Sequence, residues 1–384
     1  MEFEFSTSDR IIFGNGTVER VGRLARDMGH RVFVVTGKTK ARAVPVTRQL
    51  DQENIVFTVF NVSDEPTIAE AESAAGMARD FGGDLVIGIG GGSVMDTAKV
   101  IAAMLSNEGD LLDYLEIVGK GIPISKAPAP CIAIPTTAGT GSEVTRNAVL
   151  IVEDRQIKVS LRSPLLLPDI ALVDPLLTRS MPPSVTAATG LDVITQLLEA
   201  FLCQTANPLT DGLCREGLVR AARSLHAAYT DGSRLDARED MALASLFGGI
   251  ALANSGLGAV HGIAAPLGGL IKAPHGAVCG RLLPIVLDAN IRALESRTPQ
   301  SPALKKINQL PTLMDSTLGS SSAELMVWVR DLCRSLNIPP LSSYGFRSDD
   351  IPTIVEAAKG ASSMRGNPIA LFDDELSAIL EEAL

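Results

Sequence analysis

The chain has 384 residues, of which 46% are hydrophobic, 4% aromatic and 20% charged. That length suffices for two domains and a large core, and with so few aromatic residues the core must rest on Ala, Val, Leu and Ile. A formal net charge of −10 without any basic cluster speaks against nucleic acid or an anionic membrane surface as partner. No apolar run is expected to reach membrane-span length, and Met1-Glu2-Phe3-Glu4 does not read as the start of a secretion signal. The five cysteines (Cys131, Cys203, Cys214, Cys279, Cys333) are scattered and free of Cys-x-x-Cys spacing, which reads as reduced thiols in a cytoplasmic protein.

In chain order, residues 10–17 read as a short strand and turn, and 18–28 as a helix ending before Gly29. The β-branched run 31–37, stopped by Gly37, fits a buried parallel strand. A helix follows around 41–52, a strand over 55–60, a helix over 66–81 and a strand over 84–90. This alternation predicts a parallel α/β sheet. The last strand runs into Gly90-Gly91-Gly92-Ser93-Val94-Met95-Asp96-Thr97-Ala98-Lys99. Glycines there let a ligand approach the backbone, and the following helix aims its free N–H groups at the gap, as a phosphate cradle does. The spacing is neither Gly-x-Gly-x-x-Gly nor a Walker A loop, and a tight strand-to-helix turn would use the same glycines. Residues 131–135 form the next expected strand, followed by the hydroxyl-rich loop Thr136-Thr137-Ala138-Gly139-Thr140-Gly141-Ser142-Glu143-Val144-Thr145. Such a loop can hold a polar ligand by hydrogen bonds, or be a flexible surface connection. Strand-like segments at 148–152 and 168–175 close the first half.

Around Met181-Pro182-Pro183 the pattern turns helical, over 184–203, 208–230, 235–257, 260–270, 278–296, 302–317, 321–336, 348–361 and 373–383. A boundary near residue 180 thus divides residues 1–180, α/β and Rossmann-like, from residues 181–384, all helical. Within the second part, Asp192 and Gln196 lie four apart on one helix face, beside the apolar stripe of Leu191, Ile194, Leu197 and Leu198. Further on, His261 and His275, two of only four histidines, sit in an apolar, glycine-rich stretch. A buried imidazole needs a partner, and one carboxylate, one amide oxygen and two imidazoles make a mixed oxygen/nitrogen set suited to zinc or iron(II). Equally, Asp192 could be a first-turn carboxylate favoured by the helix dipole, Gln196 could face solvent, and the histidines could be satisfied within a core.

Four motifs in this order, Gly90–Lys99, Pro135–Thr145, Thr189–Ala200 and Asn254–Gly276, give the whole chain a resemblance to the iron-containing (group III) alcohol dehydrogenases. That family lies in the superfamily of dehydroquinate synthase and glycerol dehydrogenase. The resemblance implies an NAD(P)-dependent oxidoreductase with a nucleotide domain, a helical metal domain and the cofactor in the cleft between them. It implies that Gly91, Gly92, Ser93 and Asp96 lie at the pyrophosphate. Thr136, Thr137, Thr140 and Ser142 would line the adenine, ribose and nicotinamide side. Asp192, His261 and His275 match three of the family's metal ligands and are the expected catalytic residues. The fourth ligand, usually histidine, corresponds to Gln196, a weaker neutral donor. A family histidine near the nicotinamide corresponds to Ala265, so its proton relay is missing.

Family members that exclude NADP tend to carry an Asp after the second strand. Here that loop is Thr36-Gly37-Lys38-Thr39-Lys40, with two lysines and no carboxylate, which slightly favours NADP. The expected metal is Fe2+ or Zn2+ and the expected substrate a small alcohol or aldehyde. An oxo acid, as in maleylacetate reductases, is the alternative, and a non-catalytic nucleotide-binding protein is the alternative of another class. The resemblance also implies a homodimer or larger assembly.

Overall fold

The computed structural model describes residues 2–155 and 157–384. The chain divides into two compact units, one of residues Ser6–Arg179 and one of Ser180–Leu384 together with the N-terminal segment through Phe5.

The first unit is built on a six-stranded sheet of β1 (Arg10–Phe13), β2 (Arg31–Thr36), β3 (Val56–Asn61), β4 (Leu85–Gly90), β5 (Cys131–Pro135) and β8 (Ile170–Val173). Its spatial order is β1-β8-β5-β4-β2-β3, and every neighbouring pair is parallel. The helices are α1 (Val21–Arg26), α2 (Val44–Gln52), α3 (Ile68–Phe81), α4 (Gly92–Ser106) and the short α5 (Leu111–Tyr114). The β-branched runs are explained by burial on both faces. Val32 and Val34 of β2 pack into one core layer with Leu85, Ile87, Ile132 and Leu172. Phe33 and Val35 face the opposite layer with Ala74, Ala78, Ala98 and Ile101. The sequence pattern leaves one strand unannounced: β6 (Asn147–Val152), expected over 148–152, pairs in an antiparallel ribbon with β7 (Ile157–Arg162), which is not expected. The alternation Ile157-Lys158-Val159-Ser160-Leu161-Arg162 was its signal, with Val159 and Leu161 buried.

From β2 the chain moves outward to β3, then returns to place β4 on the other side of β2 and continues through β5 and β8. The direction of winding therefore reverses between β2 and β4, and open parallel sheets bind ligands at the carboxyl ends of such a pair. Those ends are Thr36-Gly37 and Gly90-Gly91.

The second unit comprises α6 (Pro183–Leu202), α7 (Pro208–Thr230), α8 (Leu235–Ser255), α9 (Ala259–Leu270), α10 (His275–Arg297), α11 (Pro302–Met314), α12 (Ser322–Ser335), α13 (Ile351–Gly360) and α14 (Asp373–Ala383). α6 is its centre and packs against α7, α8 and α10. Contrary to the expectation from the sequence, α6 is long and apolar enough to cross a membrane by length and composition. Its 18-residue apolar window is 89% buried within the fold. A helix apolar all round is what a central core position requires.

Candidate active site

α10 approaches α6 through small residues. A methyl group built on Gly276 would lie 2.2 Å from the Ala188 carbonyl oxygen, and one on Gly280 2.6 Å from a Leu191 methyl. Two glycines four apart give α10 a flat seam against α6. Beside that seam His275 and Cys279, also four apart, face Asp192 in the middle of α6. The placement rules out a helix-dipole role for Asp192, since it stands nine residues inside the helix, and both Asp192 and Gln196 are 2% exposed.

α9 contributes His261 from its first turn. His261 Nε2 lies 3.4 Å and His275 Nε2 3.7 Å from Asp192 Oδ1. Cys279 Sγ is 3.6 Å from His275 Nε2 and 3.9 Å from His261 Nε2. The four donor atoms lie within 4.8 Å of one another. Asp192 Oδ1 is buried and makes no hydrogen bond to any described residue. Burial alone would raise the Asp192 carboxyl, but His275, His261 and Cys279 outweigh it and hold it below the ordinary carboxylate range. His261 is driven down by burial, yet Cys279, Asp192 and Glu199 raise it well above its usual value. Four converging donor atoms, among them a buried carboxylate oxygen without a hydrogen bond to any described residue, fit a divalent cation that would take the place of the protons this cluster otherwise holds.

Glu199, two turns after Asp192 on α6, is a residue the sequence reading missed. Its Oε2 is 2.6 Å from His261 Nδ1, and its two oxygens accept from the Val260 N–H at 2.6 Å and the His261 N–H at 3.4 Å. It thus caps α9 and turns His261 Nε2 toward Asp192, as outer carboxylates do for ligating imidazoles. Gly258 makes this approach feasible, because a methyl there would lie 2.9 Å from Glu199 Oε1. Gln196 is on the same helix, its amide oxygen 3.5 Å from the point where a side chain on Gly248 of α8 would begin. Ala265 is exposed on α9.

In the first unit the glycine turn, the hydroxyl loop and the end of β2 come together. A methyl on Gly91 would lie 3.4 Å from Thr137 Oγ1, one on Gly92 3.1 Å from Thr140 Oγ1, and one on Gly37 3.8 Å from Val94. Gly91 caps α4, so the first N–H groups of that helix, from Gly92 and Ser93, open at the sheet's switch point. Thr136 Oγ1 is buried with no hydrogen bond to a described residue. Asp96 and Ser142 are hydrogen-bonded to each other. Ser142 Oγ donates to Asp96 Oδ1 at 2.6 Å, and the Val149 N–H donates to Asp96 Oδ2 at 2.9 Å. Buried Lys99 donates to Ser142 Oγ, Thr145 Oγ1 and the Asn147 carbonyl at 2.7–2.9 Å. These residues brace the loop to α4. Lys38 Nζ pairs with Asp64 Oδ1 at 2.6 Å in an exposed contact.

A glycine turn at the switch point of a parallel sheet, followed in the same chain by a helical bundle with a buried carboxylate–imidazole cluster, fits the organisation of a nucleotide-dependent oxidoreductase. Residues 8–175 match the family model of iron-containing alcohol dehydrogenase, and residues 186–384 match the C-terminal model of the same family. The chain belongs to the iron-containing alcohol dehydrogenase family. It is 32% identical over 391 residues to 1,3-propanediol dehydrogenase of Klebsiella pneumoniae, with 99% of this chain and 98% of that protein covered. Its structure is similar to a solved 1,3-propanediol oxidoreductase, with a TM-score of 0.92, 31% identity and full coverage of both chains. A sulfoacetaldehyde reductase from Bifidobacterium kashiwanohense, solved in complex with NAD+, is similar at a TM-score of 0.87 and 26% identity, covering 99% and 98% of the two chains. The family consists of oxidoreductases acting on alcohols and aldehydes with NAD(P) and a metal, and this chain is one of them.

Proposed function

We propose that the chain transfers a hydride between NAD(P) and a small alcohol or aldehyde at a divalent metal, Fe2+ or Zn2+, held by Asp192, His261 and His275. The observation that carries this is the buried convergence of Asp192 Oδ1 with two imidazole nitrogens at 3.4 and 3.7 Å. A cation there supplies a Lewis acid that lowers the pKa of an alcohol or polarises a carbonyl, and the nicotinamide supplies or accepts the hydride. The chain's own residues provide position and dryness. Glu199 would accept from His261 Nδ1–H and leave Nε2, which faces Asp192, as the ligating atom when a metal is bound. Gly91, Gly92 and Ser93 offer helix N–H groups to a pyrophosphate, and Thr136, Thr137 and Thr140 offer hydroxyls to the rest of the nucleotide. Ala265 has no titratable group, so the substrate proton leaves through water or the cofactor ribose hydroxyls.

Both nucleotides bind in this reading, with NADP slightly favoured through Gly37, Lys38 and Lys40. The Lys38–Asp64 pair is exposed on both sides, hence weak, and a 2′-phosphate can take the carboxylate's place. The reduced state of the five cysteines supports a cytoplasmic location, and the family supports a homodimer or larger assembly, which sedimentation would measure.

Purified protein assayed with NAD and NADP on short alcohols, aldehydes and oxo acids tests the reading. Turnover of alcohols or aldehydes that His261→Ala abolishes, with nucleotide binding kept, supports it. Full activity in that variant removes the metal mechanism. Turnover of oxo acids alone would place the chain with the reductases, and binding without any turnover would make it a nucleotide-binding protein.

A further inference from the structure

We propose that Cys279 is the fourth metal ligand, so that the centre is an Asp-Cys-His-His set that selects zinc over iron(II). The inference rests on the metal reading above and goes beyond it, because the expected fourth position fell on Gln196.

Spacing carries the argument. Bonds of about 2.3 Å to sulfur and about 2.0–2.1 Å to nitrogen or oxygen give a tetrahedron with S···N edges of about 3.6 Å and N···O edges of about 3.4 Å. The S···N separations here are 3.6 and 3.9 Å, and the N···O separations 3.4 and 3.7 Å. Direct N–H···O hydrogen bonds would draw the latter pairs to about 2.7–3.2 Å. In this same site the Glu199–His261 contact closes to 2.6 Å. Four of the six separations thus match the spacing a shared ion imposes, and all six lie within 4.8 Å, while the outer carboxylate stands at hydrogen-bond distance. Asp192 Oδ1, buried and without a hydrogen bond to any described residue, is one corner of that gap.

Cys279 differs from its counterparts. It is fully buried, one turn along α10 from His275, and touches both imidazoles. Cys203 and Cys333 instead donate to backbone carbonyls, of Ser255 at 3.0 Å and of Gly280 at 3.5 Å. In the proposed site the Cys279 thiol gives its proton to solvent as the sulfur–metal bond forms. The thiolate and Asp192 then balance the double charge of the ion. A soft thiolate in a tetrahedral set with imidazole suits zinc, whereas oxygen and nitrogen donors alone leave iron(II) competitive.

The test is metal titration of the full-length apoprotein with cobalt(II) as a spectroscopic stand-in and zinc(II) as competitor. Wild type should bind one cobalt with a thiolate-to-metal charge-transfer band in the near ultraviolet. Cys279→Ala should lose that band and more than about 100-fold in zinc affinity, since losing even an outer partner costs about 10–100-fold. Cys279→Ser guards against a folding defect, because it keeps the volume, and it should also lose the band. Gln196→Ala should keep it. Cobalt bound without a thiolate band, or a band that survives Cys279→Ser, overturns the ligand assignment and leaves the metal reading standing. No cobalt bound by wild type, or binding unaffected by His261→Ala, overturns both.

Discussion

Replacing Gly276 by alanine adds one methyl group 2.2 Å from the Ala188 carbonyl oxygen. An ordinary carbon–oxygen contact needs about 1 Å more, and the obstacle is backbone, so α10 must move away from α6. Overpacking of this kind costs about 1–3 kcal/mol. The same shift carries His275 and Cys279 away from Asp192, and a metal site tolerates only about 0.2 Å. The variant should therefore unfold at lower denaturant with an unchanged slope, and bind zinc at least tenfold more weakly. Gly212→Ala is the matched control, because Gly212 lies inside α7 with nothing within 4 Å of the new methyl. It should stabilise the protein by up to about 1 kcal/mol through helix propensity. Urea titration followed by tryptophan fluorescence or circular dichroism measures both. If Gly276→Ala is as stable as wild type and binds metal equally well, the seam is not what sets the site.

Glu199→Ala should reduce metal affinity by about 10–100-fold by freeing the His261 ring, and cost about 1 kcal/mol through loss of the α9 cap. Isothermal titration with zinc and denaturant titration separate the two effects. Glu143, fully buried, has its carboxyl pushed up to about 7 by burial, although a backbone hydrogen bond and Lys99 act to lower it. The folded chain thus keeps a proton that the unfolded chain has lost between about pH 4.5 and 7, and stability falls as pH rises through that window by about 3 kcal/mol. Glu143→Gln should remove this dependence, and a constant stability gap between variant and wild type from pH 4.5 to 8 would refute it. Lys99→Met should cost about 3 kcal/mol by leaving Asp96, Ser142 and Thr145 without their cation, and should weaken NADP binding as the hydroxyl loop loosens, which a fluorescence titration reads.

Much of this was legible in the chain because burial on both faces and the 3.6-residue period each leave a strong pattern. The runs at β2, β4 and β5 are apolar without alternation since both sides of the sheet are covered. The helices of the second unit begin and end within a few residues of their expected bounds. The ribbon β6-β7 was only half visible, because Lys158, Ser160 and Arg162 make β7 look like a polar connection. Asp192, His261 and His275 stand out as polar residues in apolar surroundings. Cys279 and Glu199 do not. A cysteine among apolar residues reads as core, and a glutamate near a helix end reads as surface. Only the spacing hinted at them, four from His275 and seven from Asp192. Asp96 and Ser142, expected at the cofactor, also tie the hydroxyl loop to α4.

The site is carried by α6, the most enclosed helix of its unit, and this bears on how a metal would enter and leave. Opening a central helix costs close to the free energy of unfolding the whole domain, so Asp192 and Glu199 cannot move aside to release an ion on ordinary timescales. His275 is the exception, with a third of its side chain exposed, against less than a tenth for Asp192, His261 and Glu199. It stands at the first residue of α10, where fraying is easiest. Metal exchange at such a site should therefore be slow, with a rate set by the swing of the His275 imidazole.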